Sequence, residues 1–224
     1  MSSLLLELNK RFYNKDPFST DLGINIIWKS IDMIAQIGFE RFNFKKLSTT
    51  INSTEASVYR YFKNKHQLLH YLIVWYWSWL NHKLEIEITN IADPHDRLDA
   101  ALRVITRKKE IDENFPGFNI PALQQILICE AAFYHFFNQH IETPMEIPVN
   151  GYVAICLKLA GLIHEINPSF LFPMSLIHTA MEAANQQSFL FSRNQRLIEF
   201  PFTENLFEQN YTFIKMMVFN TIKP

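Results

Sequence analysis

Apolar residues recur at helical spacing along almost the entire chain, and this periodicity restricts the possible folds more than any other feature. From Ile24 to Ala35 they fall on one face of a helix, opposite the polar Asn25, Lys29 and Asp32. Prolines and polar clusters separate further stretches of the same kind, and no stretch alternates as a strand would. The pattern predicts an all-α fold of about nine helices.

The composition agrees with a folded helical chain and excludes several other classes. Of the 224 residues, 48% are hydrophobic and 19% are charged, which is too apolar for an intrinsically disordered protein. Cys129 and Cys156 are too few for a disulfide framework or a cysteine-rich zinc site. The most apolar stretch, residues 68–80, is well short of the ~20 residues that a membrane-spanning helix needs. We therefore expect a cytoplasmic protein without membrane contact.

No group of residues predicts catalysis or metal binding. The chain has no glycine-rich phosphate loop and no nucleophile elbow. His135 and His140 are five residues apart, so they face different sides of a helix and do not have metal-ligand spacing. We expect no enzyme activity, no cofactor and no metal.

Residues 43–63 have the pattern of a helix-turn-helix. Asn43 and Thr54 are good N-caps for two short helices, and Asn52 between them tolerates the left-handed backbone of a tight turn. Two short surface helices with a solvated basic face would show the same pattern, and this alternative stays open. The outward face of the second helix would carry Ala56, Tyr59, Arg60 and Lys63.

Positive charge is concentrated in the same part of the chain. Residues 1–65 contain 10 Lys and Arg against 6 Asp and Glu, whereas the remainder contains 11 against 16. Small Ala56 and Ser57 leave room for close approach to a groove, and the Thr54 hydroxyl could hold a phosphate instead of capping the helix. The cations that phosphates would require are Lys45, Lys46, Arg60, Lys63 and Lys65.

Two strings within this segment are specific. Residues 38–48 read GFERFNFKKLS, and residues 54–69 read TEASVYRYFKNKHQLL. Together they resemble the N-terminal domain of the TetR/AcrR family of bacterial transcriptional regulators over about residues 22–70. The most specific matches are Val58, Tyr59, Tyr61, Phe62, Lys65 and Leu68.

The resemblance implies roles for individual residues. Tyr59 and Lys65 would contact the DNA backbone, Arg60 and residues 55–57 would reach base edges, and Asn43 and Lys45 would flank the groove. It also implies three parts: an N-terminal extension (1–20), a helix-turn-helix domain of three helices (21–66) and a larger helical ligand-binding and dimerisation domain (67–224). The predicted DNA-binding residues are Asn43, Lys45, Lys46, Thr54, Glu55, Ala56, Ser57, Tyr59, Arg60, Lys63 and Lys65.

Several residues depart from the pattern of that family. Ser48, Asn52 and Ser53 stand where it usually has alanine, glycine and an apolar residue, and Glu55 places negative charge near DNA. These departures leave the operator sequence and affinity open. They also motivate a second hypothesis, in which the chain is a dimeric small-molecule sensor or carrier on the same scaffold without specific DNA binding.

The N-terminal extension allows two interpretations. Leu5, Leu8 and Phe12 lie on one face of a short helix, which could dock on the DNA-binding domain. Alternatively, the Lys and Arg residues of the extension could touch phosphates as an arm. We expect docking.

The last two predicted helices carry apolar stripes suited to an interface. Small Ala180 and Ala184 would allow a close helix crossing, and the last helix has two stripes, as if it had two partners. In the resembled family these helices form a four-helix bundle between protomers, although a core within one chain would explain the stripes too. The predicted interface comprises Ile177, Ala180, Met181, Ala184, Ser188, Leu206, Phe213 and Met217.

The middle helices are rich in aromatic residues. By resemblance, they enclose a pocket for a small, largely apolar effector, although ordinary core packing is the alternative for each residue. The predicted pocket comprises Trp75, Trp79, Phe133, Tyr134, Phe137, Tyr152 and His178.

Taken together, these features predict a homodimeric regulator that binds a palindromic double-stranded operator. We expect a repressor more than an activator, released from the operator by its effector. The operator, the effector and the regulated genes are not encoded in any motif.

Overall fold

The computed structural model describes residues 12–137, 151–193 and 206–223, with backbone alone at 131–137 and 189–193. Within these ranges the regular structure is entirely helical, so the predicted all-α class is confirmed. A short 3₁₀ turn, Pro17–Ser19, precedes the α-helices. The nine described helices are α1 (Asp21–Ile37), α2 (Phe44–Thr50), α3 (Glu55–Tyr59), α4 (Lys65–Ile88), α5 (Pro94–Thr106), α6 (Ile120–Phe137), α7 (Gly151–Ile166), α8 (Pro173–Arg193) and α9 (Leu206–Thr221).

Most helix ends follow from local sequence signals. Asn43 accepts a hydrogen bond from the Lys46 N–H at the start of α2, and Gly38 ends α1 with a φ of 80°. Thr20 caps α1, and Asp21 is its first helical residue. The hydroxyl oxygen of Thr20 accepts from the Gly23 N–H at 3.1 Å.

The described chain divides into two compact units. The first comprises the described residues of Met1–Ser78 and Lys109–Pro148, and the second those of Trp79–Lys108 and Val149–Pro224. These units group the residues differently from the predicted domains, because α6 and the loop before it pack with α1. The functional boundary at residues 66 and 67 stays a prediction.

The core of the first unit joins the three N-terminal helices to a later loop. Ile27, Leu47 and Val58, from α1, α2 and α3, are all fully buried. In the loop between α5 and α6, Phe118 stacks on Trp75 with 3.9 Å between ring centroids. Gly117 adopts a φ of 88° in this loop, and a Cβ there would lie 2.3 Å from the Trp28 ring. The loop is therefore an integral part of this unit.

The second unit is a bundle of α5, α7, α8 and α9 together with the end of α4. On α9, Tyr211, Ile214 and Val218 are buried. The Tyr211 hydroxyl donates to the carboxylate of Asp99 on α5 at 2.5 Å. No helix among the described residues is long and apolar enough to cross a membrane.

The structure corrects part of the predicted dimer interface. Ile177, Ala180, Met181 and Ala184 on α8 are at most 2% exposed within a single chain. Their small and apolar side chains face the core of their own unit, so no surface of them is left for a partner. On α9, Leu206 and Met217 are half-buried and Phe213 is exposed, and Ser188 on α8 is half-buried. The interface itself stays a prediction, but it cannot use those four side chains.

Candidate nucleic-acid interface

The turn between α2 and α3 is built by short-range hydrogen bonds. Asn52 takes a φ of 51°, the left-handed conformation that the sequence predicts. The Ser53 N–H donates to the Ser48 carbonyl at 2.8 Å, which closes the turn. The Thr54 hydroxyl oxygen accepts from the Ser57 N–H at 3.2 Å, so this side chain caps α3. The bond between Ser53 and Ser48 joins backbone atoms, so the departure of these two side chains from the family pattern leaves it in place.

The outward face of α3 is accessible, as expected for a recognition helix. Ala56, Tyr59 and Arg60 are exposed, while Val58 on the opposite side is fully buried. The Tyr59 ring packs edge-on against Phe44 at 5.1 Å, yet 47% of the residue remains exposed. The helix is therefore anchored on one side and free to enter a groove on the other.

The other predicted contact residues surround this helix. Arg60 donates to the Ser57 hydroxyl at 3.4 Å, which aligns its guanidinium along α3. Glu55 is the first residue of α3 and is half-buried, where negative charge favours the positive end of the helix dipole. The remaining exposed residues of the predicted set are Asn43, Lys45, Lys46, Thr54 and Lys63.

Two lysines of the predicted set have their amines directed at backbone carbonyls. The Lys65 amine donates to the carbonyls of Phe39 and Glu40 at 3.0 and 3.2 Å, and it lies 4.6 Å from the centroid of the Phe39 ring. The Lys46 amine donates to the Arg41 carbonyl at 2.9 Å. Both lysine amines therefore hold the segment between α1 and α2 through its backbone carbonyls. Lys65 is only partly accessible to solvent. The prediction that Lys65 holds a phosphate has no support in this geometry.

The start of α4 is also occupied by protein groups. Asn64 accepts from the Gln67 N–H at 2.8 Å, and the Gln67 side chain accepts from the Lys63 N–H at 2.6 Å. The Asn64 side chain therefore caps α4 and satisfies one N–H group of its first turn. Nearby on α6, burial and the charge of Glu40 raise the pKa of Glu130, and the charge of Lys65 opposes this shift.

One contact of the recognition helix was missed by sequence reasoning. Asn14 donates from its backbone to the Tyr61 carbonyl at 2.7 Å and from its side chain to the Tyr59 carbonyl at 3.3 Å. These residues are 45 or more positions apart, and no periodicity connects them. The expectation that the N-terminal extension docks on the DNA-binding domain agrees with this geometry for residues 12–20. Leu5 and Leu8 lie outside the described residues.

The predicted pocket residues do not converge on one cavity. Trp75 and Trp79 are buried in the cores of the first and second units, respectively. The side chains of Phe133, Tyr134 and Phe137 lie outside the described part of the structure. Tyr152 and His178 do line a cavity of about 280 Å³ in the second unit. Its other lining residues are Val153, Cys156, Met174 and Ser175.

A polar cluster lies at the wall of this cavity. The Tyr152 hydroxyl is 2.6 Å from Nδ1 of His178 and donates to the Glu182 carboxylate at 3.1 Å. Burial, followed by the nearby Cys156 and Glu182, raises the pKa of Tyr152. Burial raises the pKa of Cys156 to about 11, so this thiol is not an activated nucleophile. Within the described ranges, no three His, Cys, Asp or Glu residues are placed to hold a metal ion.

Comparisons with known proteins agree with the helix-turn-helix geometry. Residues 26–72 match the family model described as bacterial regulatory proteins of the tetR family. No curated protein sequence was found to match the chain.

Three solved structures of similar fold are each distant in sequence. AibR in complex with isovaleryl coenzyme A and operator DNA has a TM-score of 0.51 and 15% identity, over 86% of this chain and 95% of that chain. The ketosteroid regulator KstR2 of Mycobacterium tuberculosis has a TM-score of 0.53 and 12% identity, over 87% and 92%. The fatty acid degradation regulator FadR of Bacillus halodurans has a TM-score of 0.51 and 12% identity, over 87% and 93%.

These similarities extend over most of the chain, and at such low identity they show the shared fold. The family match covers the segment where the caps, the left-handed Asn52 and the exposed face of α3 form a helix-turn-helix. Residues 26–72 thus form the helix-turn-helix domain of the tetR family of bacterial regulatory proteins, within a chain that shares the fold of regulators of this family.

Proposed function

We propose that the chain acts as a homodimeric repressor on a palindromic operator and is released from it by a small, largely apolar effector. The observation that carries the proposal is the exposed face of α3, where Ala56, Tyr59 and Arg60 stand on a capped helix with a buried opposite side. A homodimer would present two such faces about a two-fold axis, which is why the operator would be palindromic.

The proposed DNA contacts divide into two kinds. Tyr59, Lys45 and Lys63 would bind phosphates, which fix position and supply affinity. Arg60 would read a base edge, since it stands on the outward face and a guanidinium matches the acceptors of guanine. We leave Lys65 out of this set because two backbone carbonyls already accept from its amine.

We propose that α9 supplies most of the dimer interface. Phe213 and Met216 on this helix are 49% and 57% exposed, whereas its opposite stripe is buried in its own unit. An apolar face of this kind favours burial against a partner, and a second copy of the chain provides an identical face. Leu206 and Met217 are half-buried beside it and would complete the contact.

The cavity lined by Tyr152 and His178 is the proposed effector site. Its volume of about 280 Å³ is close to the lower end of ligand pockets, so it would accept a small molecule. Val153 and Met174 supply apolar walls, and the hydrogen-bonded Tyr152 and His178 supply the polar groups. The AibR structure contains both isovaleryl coenzyme A and operator DNA, which motivates the same pairing of ligand and DNA here.

The decisive experiment is a selection of bound fragments from genomic DNA with the full-length protein. We expect enrichment of a short palindrome, and we expect apolar compounds that raise the thermal stability of the protein to release it. A chain that enriches no sequence but still binds such compounds would instead be the sensor or carrier without specific DNA binding. Placing the selected palindrome upstream of a reporter gene then distinguishes repression from activation.

A further inference from the structure

Residues 12–20 form a strap that joins the end of the recognition helix to α1 and α4. The strap is anchored at α4, where Phe12 is 8% exposed and packs edge-on against His70 at 4.6 Å. It is anchored at α1, where Thr20 caps the helix and the Pro17 backbone lies against Gly23 so closely that a Cβ there would be 2.2 Å from the Pro17 oxygen. The segment between these anchors therefore has little freedom.

Between the two anchors, the strap binds the backbone at the end of α3. The backbone N–H of Asn14 donates to the Tyr61 carbonyl at 2.7 Å, and the side-chain amide of Asn14 donates to the Tyr59 carbonyl at 3.3 Å. The Thr20 hydroxyl lies 2.6 Å from the Tyr61 hydroxyl, and the Lys15 amine lies 5.1 Å from the centroid of the Tyr61 ring. Four contacts thus reach two positions, 59 and 61, from outside the helix-turn-helix itself.

The recognition helix needs such support because it is short. α3 contains five residues, and an isolated helix of that length is not stable in water. The carbonyls of its last turn have no partner within the helix, and the Asn14 donors satisfy two carbonyls at this end. Thr54 caps the start of α3 and Val58 is buried on its inner side. Within this segment, the end of α3 is held by the Val58 carbonyl, which accepts from the N–H groups of Tyr61 and Phe62. Arg60, the proposed base-reading residue, lies between the two carbonyls that Asn14 holds.

We propose that the strap positions α3 for base reading, with Asn14 as the positioning residue that acts through the Tyr59 and Tyr61 carbonyls. This inference rests on the proposed DNA contacts of α3. It predicts that weakening the strap lowers the preference for the operator over scrambled DNA, because α3 then samples orientations in which Arg60 misses its base edge. Phosphate contacts, which tolerate small displacements, should persist.

The test compares full-length variants on the selected operator and on scrambled DNA. Asn14→Leu removes the side-chain donor without adding charge, and Tyr61→Phe removes the hydroxyl next to Thr20. We expect each to lower the preference for the operator about fivefold per half-site, the ratio that corresponds to one net hydrogen bond in each protomer, with the salt dependence on scrambled DNA unchanged. The matched control is Ser19→Ala, because this hydroxyl donates to Asp16 within the strap and not to α3. Asn14→Gln, which retains an amide donor, should lie nearer to the wild type than Asn14→Leu.

Three outcomes would overturn the inference. The first is that both variants fold, melt at lower temperature and keep the wild-type preference, since the strap would then be structural only. The second is an equal loss of affinity on both DNAs. The third is a lower salt dependence for Lys15→Ala with an intact preference for Asn14→Leu, which would make the segment a phosphate-binding arm. Failure of the wild type to select any fragment would refute the proposed operator binding itself. This result can be told apart from failure of the strap proposal, because it is obtained without any variant.

Discussion

Replacing Lys65 with alanine should destabilise the first unit and leave DNA binding intact, whereas Lys63→Ala should do the reverse. Lys65→Ala loses two hydrogen bonds to the carbonyls of Phe39 and Glu40 and a cation–π contact with the Phe39 ring. Because the amine is partly accessible to water, we discount the values for buried groups and expect a loss of about 2 kcal/mol in the free energy of unfolding. For a chain of this size that corresponds to a melting temperature lower by about 4–8 °C.

Lys63 is exposed at the end of the recognition segment, so its removal should change stability by less than about 0.5 kcal/mol. A dimer carries two copies, and the slope of log affinity against log salt should therefore fall by about 1.8 for Lys63→Ala. The two assays are urea denaturation followed by tryptophan fluorescence, and a salt titration of operator binding. Lys65→Met, which keeps the alkyl stem, separates loss of the charged hydrogen bonds from loss of packing. If Lys65→Ala lowers the salt slope like Lys63→Ala and leaves stability unchanged, Lys65 is a phosphate contact and the assignment made here is wrong.

Four further outcomes are expected. Arg60→Ala should relax the base preference at one position in each half-site, at a cost of about 1–3 kcal/mol per contact, measured on operators substituted one base pair at a time. Phe213→Glu combined with Met216→Glu should sediment as a folded monomer at concentrations where the wild type is a dimer, because charge would replace the exposed apolar face. Tyr152→Phe should raise the effector concentration needed for half-release from DNA about fivefold, without changing the DNA affinity in the absence of effector. If the variant and the wild type give equal release curves, this cavity is not the effector site. Burial lowers the pKa of His70 from 6.5 to about 4, so the unfolded chain takes up the proton first and stability should fall as the pH falls from 6.5 toward 4; His70→Gln should show a weaker pH dependence of the urea midpoint in that interval.

Local signals account for the parts of the fold that were predictable. Asn43, Thr54 and Asn52 each act through hydrogen bonds or backbone preferences within a few residues, and the structure places all three as the sequence indicates. The third helix ends at Tyr59, where the Tyr61 N–H bonds the Val58 carbonyl and tightens the chain into a turn. Where the chain tightens depends on the path it takes from α3 to the start of α4, and no local sequence pattern specifies that path.

The site was predictable as a surface and less so as a set of contacts. Helical spacing correctly placed Ala56, Tyr59 and Arg60 on the outward face, because a face is fixed by 3.6-residue periodicity. The amine of Lys65 donates to carbonyls 25 and 26 residues away in sequence. Its flexible four-carbon stem could direct the amine toward the backbone or toward DNA, and the sequence does not distinguish the two. Trp75 was expected near an effector but stacks on Phe118, since aromatic density alone does not distinguish a pocket from a core.

The two C-terminal helices show what an apolar stripe can and cannot predict. Periodicity predicts that an apolar stripe packs against another surface, but it does not indicate whether that surface belongs to the same chain. On α8 the small Ala184 does allow a close approach, but the neighbour is α9 of the same chain, whose Asn210 donates to the Ala184 carbonyl at 3.0 Å. A bulky charged residue at position 184 would therefore disrupt the core, and loss of the dimer in such a variant would report unfolding. Phe213 and Met216 lie on the side of α9 that its own core does not use, so charge at these positions tests association without disturbing the fold.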